Sequence, residues 1–600
     1  MKHQKMNRIL AAALSAACLV PFAAMVPVDA DAADVMSALE ITQEMGLGFN
    51  IGNSLDSTGY GNYDDITSFE KSWGNPAVTK EMVDTIKAKG FDSVRIPTSW
   101  FRHVTKTTDE NGNPIYTIDS RWLERVKEVV DYAYQQGMYV ILNLHHEEWI
   151  NRSDFATAYE EMAPQLKQMW TQIATYFADY DQHLIFEGMN EPRAANSGSL
   201  EWNGNEACYE VVNKLDNDFI ETVRSVDSPY KDTRLLMIPG YAASAYSSIY
   251  GYLEIPENDN YIAASVHAYC PYNFAMGDGD HMTFSDTNKT ELDKIFKDIQ
   301  TTFTNEDIPV VIGEFSASNY NNTEARVDWA TYYLNWAKKL GIPCFLWDNN
   351  AINNSSNASE SHGYLDRSSL QWFSASEPVI DAMLSVLDDS SVKWGSERHL
   401  PEYKHSDLSD AIKVIYENAD GGTFAADSNY FDAQMVSGSE LSEDVEIAVQ
   451  YTDIMNPDLN FMDKEWGNWT TVAAYDVDKE KGIAYFSYAD IKKAWGDLST
   501  LNSVCVGTGN SSSRIYKIAL LPAAKLVDPT DPTDPTDPSE TTIKGDINGD
   551  GALNVVDLIG MKRLFFSDAA PSLDVCDWNE DQTFDLLDVV GFSKFLIRKD

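Results

Sequence analysis

Short apolar runs alternate with amphipathic stretches through the first two thirds of the chain. Eight of the runs read as strands: GLGFNIG, FDSVRIP, MYVILNLHH, HLIFEGMN, RLLMIPG, IAASVHAY, PVVIGEF and PCFLWDN. Between them lie helical patterns such as Val78–Gly90 and Arg121–Gly137, each closing on a glycine, a usual helix stop. Eight strands separated by helices over about 360 residues predict a (β/α)8 TIM barrel. An open doubly wound sheet is the second reading, but no Gly-rich phosphate loop follows the first strand. From about Trp394 the pattern changes. VEIAVQYTDI, TTVAAYDV, GIAYFSY and RIYKIALLP, parted by polar turns, predict a small β-sandwich. The repeated Thr-Asp-Pro of residues 527–542 is an extended linker that cannot pack a core, and a short tail follows.

The resulting division is a leader (1–33), a barrel (34–393), a sandwich (394–526), the linker (527–542) and the tail (543–600). At 600 residues, several cores are required. The leader has basic residues, an apolar run and small residues near Ala32 and Ala33, the pattern of a secretory signal; an uncleaved anchor helix is the alternative. With 45 basic against 93 acidic residues, the formal charge is −48, which argues against nucleic-acid or anionic-membrane partners. A neutral polymer fits better, because the many aromatic faces can stack on it. Cys208, Cys270, Cys344, Cys505 and Cys576 are scattered and odd in number, so they imply neither a disulfide framework nor a zinc site.

Working residues of a barrel stand at the C-terminal ends of its strands. Six strands end in groups with chemical capacity: Arg95; His145; Asn190 and Glu191; His267 and Tyr269; Glu314; and Trp347. Glycosidic bond cleavage needs two carboxylates, one protonating the leaving oxygen and one attacking the anomeric carbon or activating water. Glu191 and Glu314 supply them from the fourth and seventh strands. Glu187, deeper on the fourth strand, reads as a buried structural carboxylate. Sequence spacing does not separate a retaining from an inverting pair.

GMNEP around Glu191 and VIGEF around Glu314 resemble glycoside hydrolase family 5, retaining (β/α)8 enzymes. GFNIGNSLD, WGNP, VRIP and NLHHE point further, to its subfamily 4. The resemblance implies an endo-β-1,4-glucanase (cellulase), with xyloglucanase, xylanase or mannanase activity as alternatives on the same barrel. It makes Glu191 the acid/base and Glu314 the nucleophile. Asn190 would bind the sugar 2-hydroxyl, and Arg95 and Tyr269 would hold Glu314 as the carboxylate. His145 and His267 would bind substrate and tune the acid, and Trp347 would form a platform under the reacting sugar. His146, Asn50 and Trp73 would be subsite contacts. A non-catalytic glycan-binding adhesin, the alternative of a different class, would lack one of the two glutamates, and both are present.

In the sandwich, Trp466, Trp469 and Trp495 sit among polar residues and resemble the sugar-stacking indoles of a carbohydrate-binding module; filling of the core is the alternative for each. The tail holds two twelve-residue copies, DINGDGALNVVD and DWNEDQTFDLLD. Asp546, Asn548, Asp550, Asn554 and Asp557, then Asp577, Asn579, Asp581, Asp585 and Asp588, occupy loop positions 1, 3, 5, 9 and 12. With carbonyls of Ala552 and Thr583, that spacing suits Ca2+. The pair resembles a dockerin, the module that binds the cohesin of a cellulosome scaffold. Two departures stand out: Gln582 replaces the turn glycine present at Gly551, and Val555–Val556 and Leu586–Leu587 are apolar where related modules read the cohesin. The whole implies a secreted, cellulosome-bound enzyme whose only cofactor is structural calcium.

Overall fold

All eight apolar runs are strands in the computed structural model: β1 (Leu47–Ile51), β2 (Ser93–Ile96), β3 (Tyr139–Asn143), β4 (Leu184–Glu187), β5 (Leu236–Pro239), β6 (Ile262–His267), β7 (Val310–Phe315) and β8 (Cys344–Asp348). The structure describes residues 36–277, 282–352, 358–401, 403–425, 428–454, 457–464, 468–479, 481–526 and parts of 544–597. The leader and the linker lie outside the described residues. The strands pair in parallel in chain order, and β8 closes on β1. Every strand residue is buried, with side chains filling the inside and helices covering the outside. That two-sided burial is why the runs are apolar without alternation.

Helix α1 (Ala38–Met45) precedes β1 and packs Ala38, Ile41 and Met45 against Ile141, Ile185, Met237, Val311 and Phe345 from inside the barrel. It closes the end where the strands begin, so only the opposite rim is open to a ligand. The outer layer includes α2 (Lys80–Lys89), α3 (Ser120–Tyr134), α4 (Tyr159–Tyr176), α5 (Glu206–Ser225), α6 (Asp286–Thr302), α7 (Thr323–Leu340) and α8 (Glu377–Asp388). Helix α2 stops at Gly90, whose φ of 115° only glycine adopts without strain. Helix α3 ends at Tyr134, before the predicted Gly137.

A second unit begins at Pro401. This is later than the predicted division at 393/394, because residues 395–397 still belong to the barrel. Gly395 N donates to Lys338 O and Glu397 N to Lys339 O, on the last turn of α7. Among its described residues are two larger antiparallel sheets and a two-stranded one that pairs residues 403–404 with 525–526. One has five strands in the order β9 (Lys413–Thr423), β17 (Arg514–Pro522), β11 (Val445–Thr452), β15 (Ile483–Ser487) and β14 (Asp476–Asp478). The other has four: β10 (Gln434–Met435), β16 (Ser503–Val506), β12 (Asp458–Met462) and β13 (Trp469–Ala473). Ile447, Val449 and Ile518 of the first sheet share one apolar core with Leu459, Phe461 and Val504 of the second, which makes the predicted sandwich. Trp469 is 45 % exposed. Trp495, ending α9 (Tyr488–Trp495), packs against the core instead, and Trp466 lies outside the described residues. Cys208, Cys270, Cys344, Cys505 and Cys576 are free and buried, so no disulfide joins any of them.

The outer face of the five-stranded sheet carries a charged clamp. His405 stacks on Tyr485 with centroids 3.4 Å apart and hydrogen-bonds Glu446 at 2.9 Å and Asp476 at 2.8 Å. Burial pulls its pKa down, but the two carboxylates outweigh that and lift it from the usual 6.5 to about 9. A raised histidine stabilises the fold fully below its unfolded value, and the contribution fades as pH climbs to the folded one. Roughly 3 kcal/mol is therefore lost between pH 6.5 and 9. The sandwich is expected to melt at lower temperature across that window, with His405→Ala removing the dependence; a flat wild-type melting profile contradicts the assignment.

In the tail, Leu558, Met561, Val589 and Phe592 form a small apolar cluster, the last two on α10 (Leu586–Ile597). Asp577, Thr583, Asp585 and Asp588 are among the described residues. Asp546, Asn548, Asp550, Ala552, Asn554, Asp557, Asn579 and Asp581 lie outside them.

Candidate active site

The strand register sets the layer on which the site is built. Asn50 lies opposite Arg95 on β2 and Trp347 on β8, and Asn143 lies opposite Glu187. Strand β7 carries one extra residue against its neighbours. Val266 pairs with Ile312, but His267 pairs with Glu314, so Gly313 is the bulge that re-aims Glu314 toward the rim. A Cβ on Gly313 would stand 3.2 Å from His267 Nε2 and 3.4 Å from Glu187 Oε1, so a larger residue would crowd this layer.

Arg95 is the hub, with no exposed surface. Its Nε donates to Glu187 (2.9 Å), its Nη2 to Asn190 Oδ1 (2.7 Å), and its Nη1 to Asn50 Oδ1 (3.0 Å) and Glu314 Oε1 (2.7 Å). Glu187 also accepts from Asn143 Nδ2 (2.9 Å) and Ser265 Oγ (2.6 Å). Burial favours its neutral form, yet the Arg95 charge outweighs that and holds the carboxyl at about 2. Glu187 is thus a buried, fully partnered ion. Asn50 is equally enclosed, since its Nδ2 donates to Gly313 O (2.9 Å) and Phe345 O (3.0 Å). Arg95 holds Glu314 as expected, whereas the expectation that Asn50 is a subsite contact is corrected here. The polar groups of both are spent inside the barrel, and neither is left to bind substrate; they position the residues that face the cleft.

Two carboxylates do face it. Glu314 accepts from Tyr269 OH (2.8 Å) as well as from Arg95. Burial and the Glu314 charge push the Tyr269 phenol well above its usual pKa, so it stays a donor. Glu191 meets His267 Nδ1 at 3.0 Å and accepts from Arg193 Nη1 at 3.1 Å. An oxygen of Glu191, an oxygen of Glu314 and a ring nitrogen of His267 all lie within 4.8 Å of one another. Burial pulls His267 down, but the Glu314 charge and the bonds to Glu187 and Glu191 outweigh it and lift the ring to about 9. Burial works against the Glu191 anion, and the His267 bond and Arg193 overcome it, so Glu191 is held low. The two groups share one proton, resting on the histidine.

His145 is neutral, because burial and the neighbouring His146 hold its pKa well down. Asn143 Nδ2 donates both to Glu187 and to His145 Nδ1 (3.2 Å), which places the ring hydrogen on Nε2. The ring stacks parallel to Trp347, with centroids 5.9 Å apart. Burial likewise brings His146 to about 4. It lies 5.6 Å from the ring of Trp73, and together with Thr58, Glu147, Glu148 and Asn151 they line a groove of about 250 Å³. Asn190 is buried, and its Oδ1 is taken by Arg95, which leaves its amide hydrogens to donate.

Several contributors escape a motif reading. Arg193 follows Glu191 by two residues, and its guanidinium lies 4.4 Å from the ring of Trp202, which is 54 % exposed. The Arg in NEPR was the available signal; the exposure of Trp202 had none. Asn143 and Ser265 had none either, since each looks like an ordinary strand residue. Asp348 and Arg367, a fully buried pair at 2.6 Å, brace the loop that follows Trp347.

The family model described as Cellulase (glycosyl hydrolase family 5) matches residues 55–353. Endoglucanase A of Ruminococcus albus is 41% identical over 358 residues, covering 58% of this chain and 92% of that protein. The chain belongs to glycosyl hydrolase family 5. Endoglucanase A of Clostridium longisporum is 42% identical over 356 residues, 58% of this chain, and the match spans 66% of that relative's length. Among solved structures, a GH5-4 broad specificity endoglucanase from Ruminococcus flavefaciens aligns with 51% identity and a TM-score of 0.55, covering 59% of this chain and 99% of that one. The barrel is therefore a family 5 glycoside hydrolase domain. A second family model, Carbohydrate binding module 65 domain 1, matches residues 413–518, within the sandwich.

Proposed function

We propose that this family 5 enzyme is a retaining endo-β-1,4-glucanase acting on soluble and cell-wall β-glucans. One observation supports the stereochemistry above others: one carboxylate oxygen of Glu191 and one of Glu314 lie within 4.8 Å of each other. Retaining pairs stand about 5–5.5 Å apart, whereas inverting pairs leave room for water at about 6.5–9.5 Å. Glu314, fixed by Arg95 and Tyr269, attacks the anomeric carbon as the glycosidic bond breaks. Glu191 relays the proton held on His267 to the leaving oxygen and takes one back from the water that releases the glycosyl-enzyme. Asn190 donates to the sugar 2-hydroxyl, and Trp347 lies under the reacting ring. Exposed aromatics adjoin two residues of the site, Trp73 (42 %) beside His146 and Trp202 (54 %) beside Arg193, and offer stacking faces to further sugars of a chain. Endoglucanases named for broad specificity, a xyloglucan-specific endo-β-1,4-glucanase and a lichenase are all among the similar structures. Hydrolysis of barley glucan, carboxymethyl-cellulose, xyloglucan, xylan and mannan side by side tests the polymer; activity confined to mannan overturns it.

His267 gives this scheme its pH signature. The proton shared with Glu191 leaves near pH 9, so the basic limb of kcat/KM is expected there. His267→Ala leaves Glu191 to titrate alone, moving that limb to lower pH and lowering kcat on β-glucan by about 10²–10⁴. A dinitrophenyl glycoside, whose leaving group needs no acid, should lose far less. An unmoved basic limb contradicts the shared proton.

The other modules extend the reading. Exposed Trp469 stands at 5.1 Å from exposed Tyr430, and its Nε1 donates to Asn460 Oδ1 (3.0 Å), a fixed indole suited to stacking on a glucan. The carbohydrate-binding match supports the same use. The basic–apolar–small leader supports secretion. The paired loops support a dockerin that takes Ca2+ and a cohesin, attaching the enzyme to a cellulosome. Asp577 and Asp588 are buried, and with Thr583 and Asp585 they give the second loop an all-oxygen set of residue types that fits a hard cation. Cohesin capture lost on chelation and restored by calcium is the expected result; capture indifferent to calcium, or absent with every cohesin class, contradicts it.

A further inference from the structure

Behind the nucleophile strand lies a buried cation without a counter-charge. Arg326, in the first turn of α7, has no exposed surface. Its Nη1 donates to Ala375 O (3.2 Å) and Ser376 Oγ (3.4 Å), but its Nε and Nη2 have no acceptor. No carboxylate pairs with it among the described residues. Asn322 caps the same helix one turn earlier, and Arg326 N donates to its carbonyl (3.0 Å). Its side chain is 6 % exposed; Oδ1 accepts from Tyr320 N (3.1 Å), while Nδ2 has no partner. Residues 322 and 326 fall on one face of α7, the face that also buries Trp329, Ala330 and Tyr333. Three donor atoms, Arg326 Nε and Nη2 and Asn322 Nδ2, are thus buried one turn apart on the same helix, and no acceptor among the described residues answers them.

The electrostatics around them have the same sign. The side chain of Asn322 makes no capping bond to its own helix, so the positive end of the eighteen-residue α7 is left open. Ser376 begins α8 and makes no capping bond either, because its Oγ donates to Gly363 O (2.7 Å). The Tyr364 ring, 5.1 Å from the guanidinium, adds its π-face but no charge. Neighbouring His362 is held neutral by burial and by Arg326 itself, at about 3. An enclosed, unpaired guanidinium costs several kcal/mol unless a counter-charge joins it. Water would satisfy hydrogen bonds and leave the charge.

We infer that Arg326 and Asn322 bind a small inorganic anion, chloride, enclosed between α7 and the start of α8. The anion accepts from Arg326 Nε and Nη2 and from Asn322 Nδ2, and it neutralises the buried charge. The site lies one layer behind catalysis. Tyr364 OH meets Ser316 Oγ at 3.0 Å, two residues past Glu314, so the anion supports the strand that carries the nucleophile without touching substrate.

The test uses the full-length protein at constant ionic strength, with chloride replaced stepwise by gluconate, which is too large for an enclosed site. For one anion bound only by the folded state, each tenfold rise in chloride above its dissociation constant multiplies the folding constant of the barrel tenfold. Arg326→Met is expected to abolish that dependence. Crystals grown with bromide should show an anomalous peak within hydrogen-bond reach of Arg326 Nε and Nη2. A wild-type stability indifferent to chloride, a variant that keeps the wild-type slope, or bromide crystals with only water at Arg326 overturns the inference. Should Arg326→Met not fold, the bromide crystal of the wild type decides alone.

Discussion

Glu314→Ala is expected to lower kcat on β-glucan by about 10⁵-fold, the scale on which loss of a covalent nucleophile is felt. The carboxylate is irreplaceable by its neighbours. Glu187 is committed to Arg95, Asn143 and Ser265 below the cleft, and Glu191 stands on the other side of the bond to be cut. The fold should survive, because Arg95 keeps Glu187 as its partner and Asn50 and Asn190 as acceptors. Reducing-sugar release should therefore vanish while circular dichroism and the melting temperature stay close to wild type. Azide, small enough for the space left by the carboxylate, should restore turnover and yield a glycosyl azide of inverted configuration. Wild-type cleavage by the variant contradicts the nucleophile assignment.

Arg95→Met carries the second large effect, on stability as well as rate. The change removes the guanidinium hydrogen bonds to Glu187 and Glu314 and leaves two carboxylates in a layer where Glu187 has no exposure and Glu314 has 4 %. Breaking a buried pair from one side costs about 3–5 kcal/mol, because the stranded charge remains. The barrel should melt earlier, and kcat should fall even below the new melting point, since Asn50, Asn190 and Glu314 lose their common anchor. Arg95→Lys should rescue little, because a point charge cannot reach acceptors on three sides at once. Calorimetry of both variants checks this; a barrel as stable as wild type with Met at position 95 refutes the hub.

The barrel was legible because two-sided burial writes each strand as an apolar run, and the helix patterns between the runs leave few other topologies. The two glutamates were legible because polar groups at strand ends are conspicuous against that background. The layer beneath them was not. Asn50 stands at the same strand-end position as a substrate contact would, and only the register that brings Phe345 O, Gly313 O and Arg95 around it shows that it is enclosed. The bulge at Gly313 was equally hidden, since VVIGEF reads as one strand whether or not a residue slips. Trp495 and Trp469 look alike in sequence, yet helix α9 turns one into the core while β13 leaves the other exposed. Exposure is a property of packing, and local composition does not carry it.

The retaining assignment rests on two carboxylates whose facing oxygens lie within 4.8 Å, and product stereochemistry tests it most directly. Cellopentaose hydrolysed in D2O and followed by proton NMR, faster than mutarotation, should release new reducing ends first as the β-anomer, with the α-anomer growing in later. Initial release of the α-anomer would show inversion, and it would contradict Glu314 as a nucleophile.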